Sequence, residues 1–326
     1  MNQATADILK KHESASPPVE ISNFEPSYQS LVEKFLLSQD VKPNSRETYR
    51  RGLRRFISWI TQDNPGNPTR EDILRYKAFL ESQSISPLTI SIYLVTVRKF
   101  FEWTEGMKIY PNIAKGIKGA RRPRGFHKDT LTTNQVKELL AHIECSNAEG
   151  KRDYAVLNLL IRTGLRAIET IRANLDDVRQ ESGEAVLWIQ GKGRDAKDDF
   201  VLLTEDALKP IQEYIQERGK TQGSDPLFAS LSDRNKGKRL STRSVSRIAK
   251  KHFKTVGLES SRITAHSLRH TAITFSLLGG ATIQEAQLLG RHTDINTTLI
   301  YAHNLNRVTH APERKIDQLL HDLVAP

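Results

Sequence analysis

The chain has 326 residues, 37% hydrophobic and 27% charged, which is the balance of an ordinary globular protein with room for two domains. Its 49 Lys and Arg exceed its 38 Asp and Glu, so the net charge of +11 favours a polyanionic partner, although a merely basic enzyme would look the same. The single cysteine, Cys145, excludes an intramolecular disulfide and a multi-cysteine zinc site, and it indicates a reducing compartment. Without a run of about 18 apolar residues or an apolar signal core, we expect neither a membrane-spanning helix nor a signal peptide.

The N-terminal third of the chain shows helical periodicity and no strand signal. Residues 1–23 are polar and predict a tail or contact arm, whereas residues 24–112 predict an all-α domain of four short helices. Arginines are interleaved with apolar residues on the second of these helices, and the candidate contacts to phosphates are Arg46, Arg50 and Arg54. A solvated helix face would show the same pattern, so this segment alone does not decide between the two interpretations.

Residues 113–128 are predicted to connect two domains. From Lys115 to Lys128 there are six Lys or Arg residues, three glycines and no acidic residue, so we expect this stretch to bury no core. An ordinary flexible linker is one interpretation, but the complete basic bias favours a cationic segment that closes around a duplex. The candidate DNA contacts in it are Arg121, Arg122, Arg124 and Lys128.

Residues 129–326 are predicted to form a mixed α+β domain, so the whole chain is expected to be mainly α with one small β-hairpin. Two strands, Glu184–Gln190 and Asp199–Leu203, flank a glycine-rich connection that contains Lys192. A basic helix farther along offers a second surface for phosphates, with a solvated helix as the alternative interpretation. The candidate contacts on it are Arg243 and Arg247.

The stretch from Thr264 to His303 concentrates groups suited to phosphoryl transfer. A phosphodiester is a poor electrophile because its non-bridging oxygens are negative, and nucleophilic attack adds further charge in the transition state. A planar guanidinium can bind two such oxygens at once. Arg166 and Arg269 are therefore the candidates for binding the phosphate oxygens. Because the two arginines lie far apart in sequence, the fold must bring them together.

Tyr301 is the candidate nucleophile. Its phenol has an ordinary pKa near 10, so forming the phenolate at neutral pH costs roughly 4 kcal/mol unless a base assists. We assign His266 as that base, His292 as a donor to a phosphate oxygen, and Lys192 as the acid that protonates the leaving 5′ oxygen. Each residue taken singly is more often a packing or surface residue, and only the combination favours a site. A covalent tyrosine intermediate is predicted to need neither ATP nor a metal for resealing.

Four segments of the sequence resemble the tyrosine recombinase (phage integrase) family, and the chain is Xer-like in size. The resemblance extends over about residues 24–303 and is most specific in the last two segments. The four segments are TGLRAIE at 163–169, GKG at 191–193, HSLRH at 266–270 and HTDINTTLIYAH at 292–303.

The resemblance implies an all-α, SAM-like core-binding domain followed by a catalytic domain. It implies that four protomers on two double-stranded sites exchange strands through a 3′-phosphotyrosine and a Holliday junction, with a directionality factor as a further partner. It also implies a cytoplasmic, nucleoid-associated bacterial protein that uses no cofactor. The implied catalytic residues are Arg166, Lys192, His266, Arg269, His292 and Tyr301, with Glu169 in support by orienting Arg166.

Two departures from the family pattern bear on this site. Arg291 stands directly before the second histidine, where the family commonly has glycine, and Gly290 lies one residue earlier. The connection after Lys192 is longer than usual, which leaves Lys197 as an alternative acid.

Integration, excision or inversion of a DNA element is the leading interpretation of the biological role. The alternatives are Xer-type dimer resolution, a DNA-relaxing enzyme of the type IB topoisomerase kind, and a DNA-binding protein with a degenerate catalytic domain. All the catalytic positions are filled, which argues against the last. Near the C-terminus an apolar face predicts a helix that docks on its own domain or on a neighbour; its residues are Ile316, Leu319, Leu320 and Leu323.

Overall fold

The computed structural model describes residues 25–63, 67–120, 129–191, 193–309 and 312–324. Within these ranges the chain is mainly helical, with one small three-stranded sheet, which confirms the predicted fold class. The chain divides into two compact units, residues 1–124 and 125–326. Several predicted features lie outside the described residues, namely the tail 1–23, Arg121, Arg122, Arg124, Lys128 and Lys192.

Four helices of the first unit bury an aromatic core. Ser86 caps the fourth helix, because its hydroxyl accepts a hydrogen bond from the Thr89 amide at 3.1 Å. Phe35 and Phe100 are buried and meet edge to face with 5.6 Å between ring centroids. The second helix begins at Pro43, because proline suits a first turn that needs no amide donor. The helices are α1 (Glu25–Ser38), α2 (Pro43–Asp63), α3 (Arg70–Ser82) and α4 (Pro87–Gly106).

The start of the predicted linker is built into this unit. Ile117 is 3% exposed and belongs to the same hydrophobic core as Phe35, and its carbonyl accepts a hydrogen bond from Arg98 at 3.1 Å. The prediction that this basic stretch buries no core is therefore wrong at Ile117. One apolar side chain can enter a core while the charges of Lys115 and Lys118 stay in water.

The second unit packs helices around a small antiparallel sheet. Val178 pairs with Leu187, and Leu187 pairs with Val201, so the strand that contains Leu187 lies between the other two. The first strand was not predicted, because Val-Arg-Gln-Glu offers one apolar residue and forms a short, charged edge. The elements are α5 (Thr133–Ala141), α6 (Ala148–Thr163), α7 (Ala167–Arg172), β1 (Val178–Glu181), β2 (Glu184–Ile189), β3 (Asp199–Leu202), α8 (Glu205–Arg218), α9 (Thr242–Thr255), α10 (Ala265–Leu278), α11 (Ile283–Gly290), α12 (Asn296–Thr309) and α13 (Pro312–Val324).

Helix α13 forms where the apolar face was predicted. Three of its apolar side chains are largely exposed, at 57% for Ile316, 61% for Leu319 and 52% for Leu320. Its docking on a neighbour stays a prediction. No helix in the described ranges is both long enough and apolar enough to cross a membrane.

Candidate active site

The turn between α6 and α7 forms the first part of the site. Gly164 ends α6 in the left-handed conformation, with φ at 61°, as its position after the helix predicts. Arg166 then stands before α7, and its Nη1 donates to Oε1 of Glu169 at 2.8 Å while its amide donates to Oε2 at 2.8 Å. The Glu169 side chain is fully buried and that of Arg166 is 27% exposed. A carboxylate therefore orients the guanidinium and leaves part of it accessible.

The carboxyl of Glu169 is held as an anion. Burial raises its pKa, but the charge of Arg291 and the hydrogen bonds from Arg166 outweigh burial and keep the pKa below its ordinary value. At neutral pH one carboxylate is thus shared by two guanidinium groups.

Arg269 reaches the same turn from α10. Its side chain is buried, its Nη1 donates to the Gly164 carbonyl at 2.5 Å, and its Nη2 donates to the Gly290 carbonyl. Burial, followed by the charges of Arg166 and Arg291, lowers the pKa of Arg269 to about 9, so it remains a cation at neutral pH. The fold therefore brings the two predicted arginines to one turn.

Tyr301 is buried on α12. It is 3% exposed and packs with Ile273 and Ala286. Its phenol oxygen lies 2.5 Å from Nδ1 of His270. Burial raises the pKa of Tyr301 to about 12 against the opposing charges of Arg269 and Arg166. The phenol is thus protonated at neutral pH and donates to His270.

Two imidazole rings lie near this phenol, and a third ring contacts one of them. The ring centroid of Tyr301 is 5.4 Å from that of His270 and 6.1 Å from that of His292, and His266 lies 4.6 Å from His270. Burial, together with neighbouring cations, lowers the pKa of both His270 and His292 to about 4, so both rings are neutral at pH 7. Nδ1 of His292 lies 2.9 Å from the Thr298 hydroxyl. With that hydroxyl donating to Nδ1, Nε2 carries the ring proton and can donate to a phosphate.

A cavity of about 300 Å³ opens beside these groups, and we call it the anion pocket. Positive charge from its arginines exceeds the charge of its two carboxylates, which suits a phosphate. Tyr301 is not among the residues described as lining it, since its phenol is turned to His270. The lining residues are Arg166, Glu169, Gly191, Arg194, Asp199, Arg291, His292, Thr293 and Thr297.

The predicted general acid, Lys192, lies outside the described residues. It follows Gly191, which lines the anion pocket, and precedes Gly193, whose φ is 85°. The alternative acid, Lys197, forms an ion pair with the buried carboxylate of Asp177. That ion pair holds the Lys197 ammonium on Asp177, which weighs against Lys197 as the proton donor.

The predicted DNA contacts differ in how available their charges are. Arg50 forms ion pairs with Glu33 and Glu47, each at 3.1 Å, and these carboxylates compete with a phosphate for its guanidinium. Arg46 is partly buried and donates to a backbone carbonyl at 3.3 Å. The remaining described candidates are exposed: Arg54, Arg243 and Arg247.

Sequence reasoning missed the parts that two residues play in this arrangement. His270 lies within the HSLRH segment, and its i+4 spacing from His266 on a helix was a signal that both imidazoles share a face. Arg291 was noted only as a departure from glycine. Nothing in the sequence indicated that its side chain would contact Glu169.

Replacing Tyr301 by phenylalanine is expected to make the free energy of unfolding less sensitive to alkali. The unfolded phenol ionises near pH 10, but in the folded protein its pKa is raised to about 12, so stability falls as pH rises between these values. At about 1.4 kcal/mol per pKa unit, the decrease in the free energy of unfolding caused by Tyr301 approaches ~3 kcal/mol. Denaturant unfolding of both proteins at neutral and alkaline pH measures it. Other buried tyrosines titrate in both proteins, so equal alkaline losses would contradict a protonated, buried Tyr301.

Two family models match the chain. The model of the phage integrase family matches residues 129–307, more than half of the chain, and that of the phage integrase N-terminal SAM-like domain matches residues 29–111.

Curated relatives and solved structures agree with these matches. A tyrosine recombinase of Synechococcus elongatus is 30% identical over 284 residues, which cover 83% of this chain and 88% of the relative. The tyrosine recombinase XerC of Herpetosiphon aurantiacus is 31% identical over 291 residues, covering 85% and 92%.

Two solved structures show the likeness in fold. XerH site-specific recombinase bound to a palindromic difH substrate has a TM-score of 0.67 at 20% identity, over 88% of this chain and 85% of that one. A lambda integrase dimer bound to a core site has a TM-score of 0.68 at 16% identity, over 92% and 81%. With the family model covering more than half of the sequence, the chain belongs to the phage integrase family and is a tyrosine recombinase, a DNA strand-exchange enzyme.

Proposed function

We propose that this recombinase cuts and rejoins double-stranded DNA at specific sites, with Tyr301 as its nucleophile. The observation that carries the proposal is the convergence of Arg166 and Arg269 on the turn at Gly164, where the charges of both act on the Tyr301 phenol. Two fixed guanidinium groups beside one phenol suit a phosphate that becomes more negative as it is attacked.

The proposed step forms one bond and breaks one. The Tyr301 oxygen attacks phosphorus while its proton passes to an imidazole, and the bond from phosphorus to the 5′ oxygen breaks. Arg166, Arg269 and His292 bind the non-bridging oxygens, and Lys192 gives a proton to the departing 5′ oxygen. His266 remains the predicted base, and the 2.5 Å contact to the phenol adds His270 as a second acceptor. The product is a 3′-phosphotyrosine, and reversal with another 5′ hydroxyl completes strand exchange.

The Tyr301 phenol faces away from the anion pocket. The phenol is buried against α10 and α11 and donates to His270, whereas the anion pocket is lined by Arg166 and His292. We propose that α12 shifts when DNA is bound, so that the phenol turns toward this pocket. A homotetramer on two sites is proposed with it, supported by the exposed apolar side chains of α13.

The proposed role is integration, excision or inversion of a DNA element on the bacterial nucleoid. Curated relatives named XerC and XerD favour dimer resolution as the second candidate. The two roles differ in where the target sequence lies. A sequence that flanks a mobile segment supports the first, and a single chromosomal locus supports the second.

Covalent capture on a pool of duplexes tests the function and recovers the site. Each duplex carries a randomised segment and a nick, so that cleavage releases a short strand and traps the adduct. We expect denaturation-resistant adducts enriched in one sequence, and exchange of strands when two intact copies are supplied. Adducts without sequence enrichment, together with relaxation of supercoiled DNA, would favour a topoisomerase instead. No adduct with any duplex would refute the enzyme proposal.

Substituting both Arg243 and Arg247 with glutamine is expected to weaken DNA binding and flatten its dependence on salt. Each lost phosphate contact lowers the slope of log affinity against log salt by about 0.9, so the double change lowers it by about two. Binding titrations at several salt concentrations measure the slope. Lys151→Gln is the control, because that ammonium already pairs with Glu217 at 2.6 Å. An unchanged slope in the double variant would remove α9 from the DNA interface.

A further inference from the structure

Arg291 occupies a backbone position that favours glycine. Its φ of 47° and ψ of 49° are left-handed, and among the described residues other than glycine only Lys108 and Ser182 share a positive φ. This conformation costs free energy for any residue that has a β-carbon. Such strain persists where the surrounding contacts hold the residue in place. The contacts of the Arg291 side chain must therefore hold this backbone conformation.

The guanidinium of Arg291 joins three segments of the chain. Its Nη1 donates to the Leu289 carbonyl at 2.9 Å, and its Nη2 donates to the Gly164 carbonyl at 3.0 Å and to Oε2 of Glu169 at 3.1 Å. The side chain is 10% exposed. It thus connects the end of α11 to the end of α6 and to the first turn of α7.

The two groups that Arg291 holds are also the partners of the predicted catalytic arginines. Glu169 accepts from the Arg166 guanidinium on Oε1, and from both the Arg166 amide and Arg291 on Oε2. The Gly164 carbonyl accepts from both Arg269 and Arg291. A carboxylate held from both sides has less freedom to rotate, and this fixes the guanidinium of Arg166 in turn.

We infer that Arg291 is a positioning residue that locks Glu169 and the Gly164 carbonyl, so that Arg166 and Arg269 face one phosphate. A glycine at this position would fit the backbone but would leave both groups without this cross-link. The catalytic part of the inference rests on the proposed function, whereas the structural part concerns the DNA-free protein.

Arg291→Gly is the informative variant, because it removes the guanidinium and relaxes the backbone at the same time. Loss of activity with retained stability therefore cannot come from a damaged turn. Arg291→Lys keeps a positive charge but loses the planar fork, so it should rescue only part of the function. Lys108→Gly is the matched control, because it removes an exposed cation from another left-handed position.

Single-turnover cleavage of the duplex recovered by covalent capture gives the first readout. We expect Arg291→Gly to slow adduct formation by about 10- to 100-fold with DNA affinity unchanged and the protein still folded at the assay temperature, while Lys108→Gly cleaves like the wild type. In a Glu169→Gln background, Arg291→Gly should slow adduct formation much less, because Arg291 acts through the Glu169 carboxylate. Wild-type rates for Arg291→Gly, or a loss that follows the unfolded fraction, would overturn the inference.

The Nε–H resonance of Arg166 in the DNA-free protein gives the second readout. We expect Arg291→Gly to shift or broaden this signal and Lys108→Gly to leave it unchanged. An unchanged signal in Arg291→Gly would overturn the inference whatever the activity. If the wild type forms no adduct with any duplex, the proposed function fails, but this measurement still decides whether Arg291 positions Arg166.

Discussion

Tyr301→Phe is expected to abolish the covalent protein–DNA adduct while DNA binding stays at the wild-type level. The variant loses only the phenol oxygen, and its ring still packs with Ile273 and Ala286. No other group then attacks the phosphate, because the proposed reaction has one nucleophile. Denaturing electrophoresis with labelled duplex measures the adduct, and a gel-shift titration measures binding.

A second buried tyrosine provides the control for this loss. The hydroxyl of Tyr214 accepts the Ala229 amide at 3.2 Å within the core of the second unit. Tyr214→Phe therefore removes a comparable hydrogen bond without touching the site, and we expect it to form the adduct. An adduct that persists in Tyr301→Phe would assign the nucleophile to another residue.

Arg166→Ala is expected to slow single-turnover cleavage by about 10³-fold, the range seen when a guanidinium or other fixed donor to a transition-state oxygen is removed. Its guanidinium is oriented by Glu169 and is partly exposed beside the anion pocket. The fold should tolerate the change, since Glu169 keeps its ion pair with Arg291. The cleavage rate of Arg166→Lys should lie between those of the wild type and Arg166→Ala, because lysine keeps the positive charge but lacks the planar guanidinium.

Arg162 offers a matched control for this substitution. It lies on the last turn of α6 and pairs with Asp206 at 3.1 Å, with 40% of its side chain exposed. Arg162→Ala removes the same charge close in sequence, and we expect cleavage at nearly the wild-type rate. A similar loss in both variants would mean that net charge, rather than the position of Arg166, drives the reaction.

The helical architecture was largely predictable because periodicity and caps are local signals. Gly164 ends α6 in the left-handed conformation that glycine favours, and the hydroxyl of Thr282 caps the start of α11. The errors arose where tertiary packing outweighed local pattern. Strand β1 has too few apolar residues to signal itself, and Ile117 is buried although basic residues surround it.

The sequence indicated the residue types of the candidate site and only part of the contacts between them. Motif and resemblance indicated Arg166, Arg269 and Tyr301, whose mutual arrangement depends on long-range packing that no single segment encodes. Sequence reasoning paired the phenol with His266, whereas its closest described partner is His270. Arg291 illustrates the same limit, because its contacts depend on a turn in another helix.

The neutral histidines have a consequence for stability at low pH. The pKa of His270 and that of His292 are lowered to about 4, below the ordinary value near 6.5. The unfolded chain therefore binds protons first, and the free energy of unfolding decreases as pH falls from about 6.5 to about 4. Activity assays therefore belong above this range, where these two histidines do not lower the stability of the fold.

A duplex with one uncharged scissile methylphosphonate tests most directly whether the guanidinium groups act on phosphate charge. The methyl group replaces a non-bridging oxygen, so the transition state carries one negative charge fewer for Arg166 to stabilise. Wild type and Arg166→Ala are compared in single-turnover cleavage on this duplex and on the ordinary one. We predict that the loss of about 10³-fold on phosphodiester shrinks to roughly tenfold or less on methylphosphonate. An equal loss on both duplexes would contradict it.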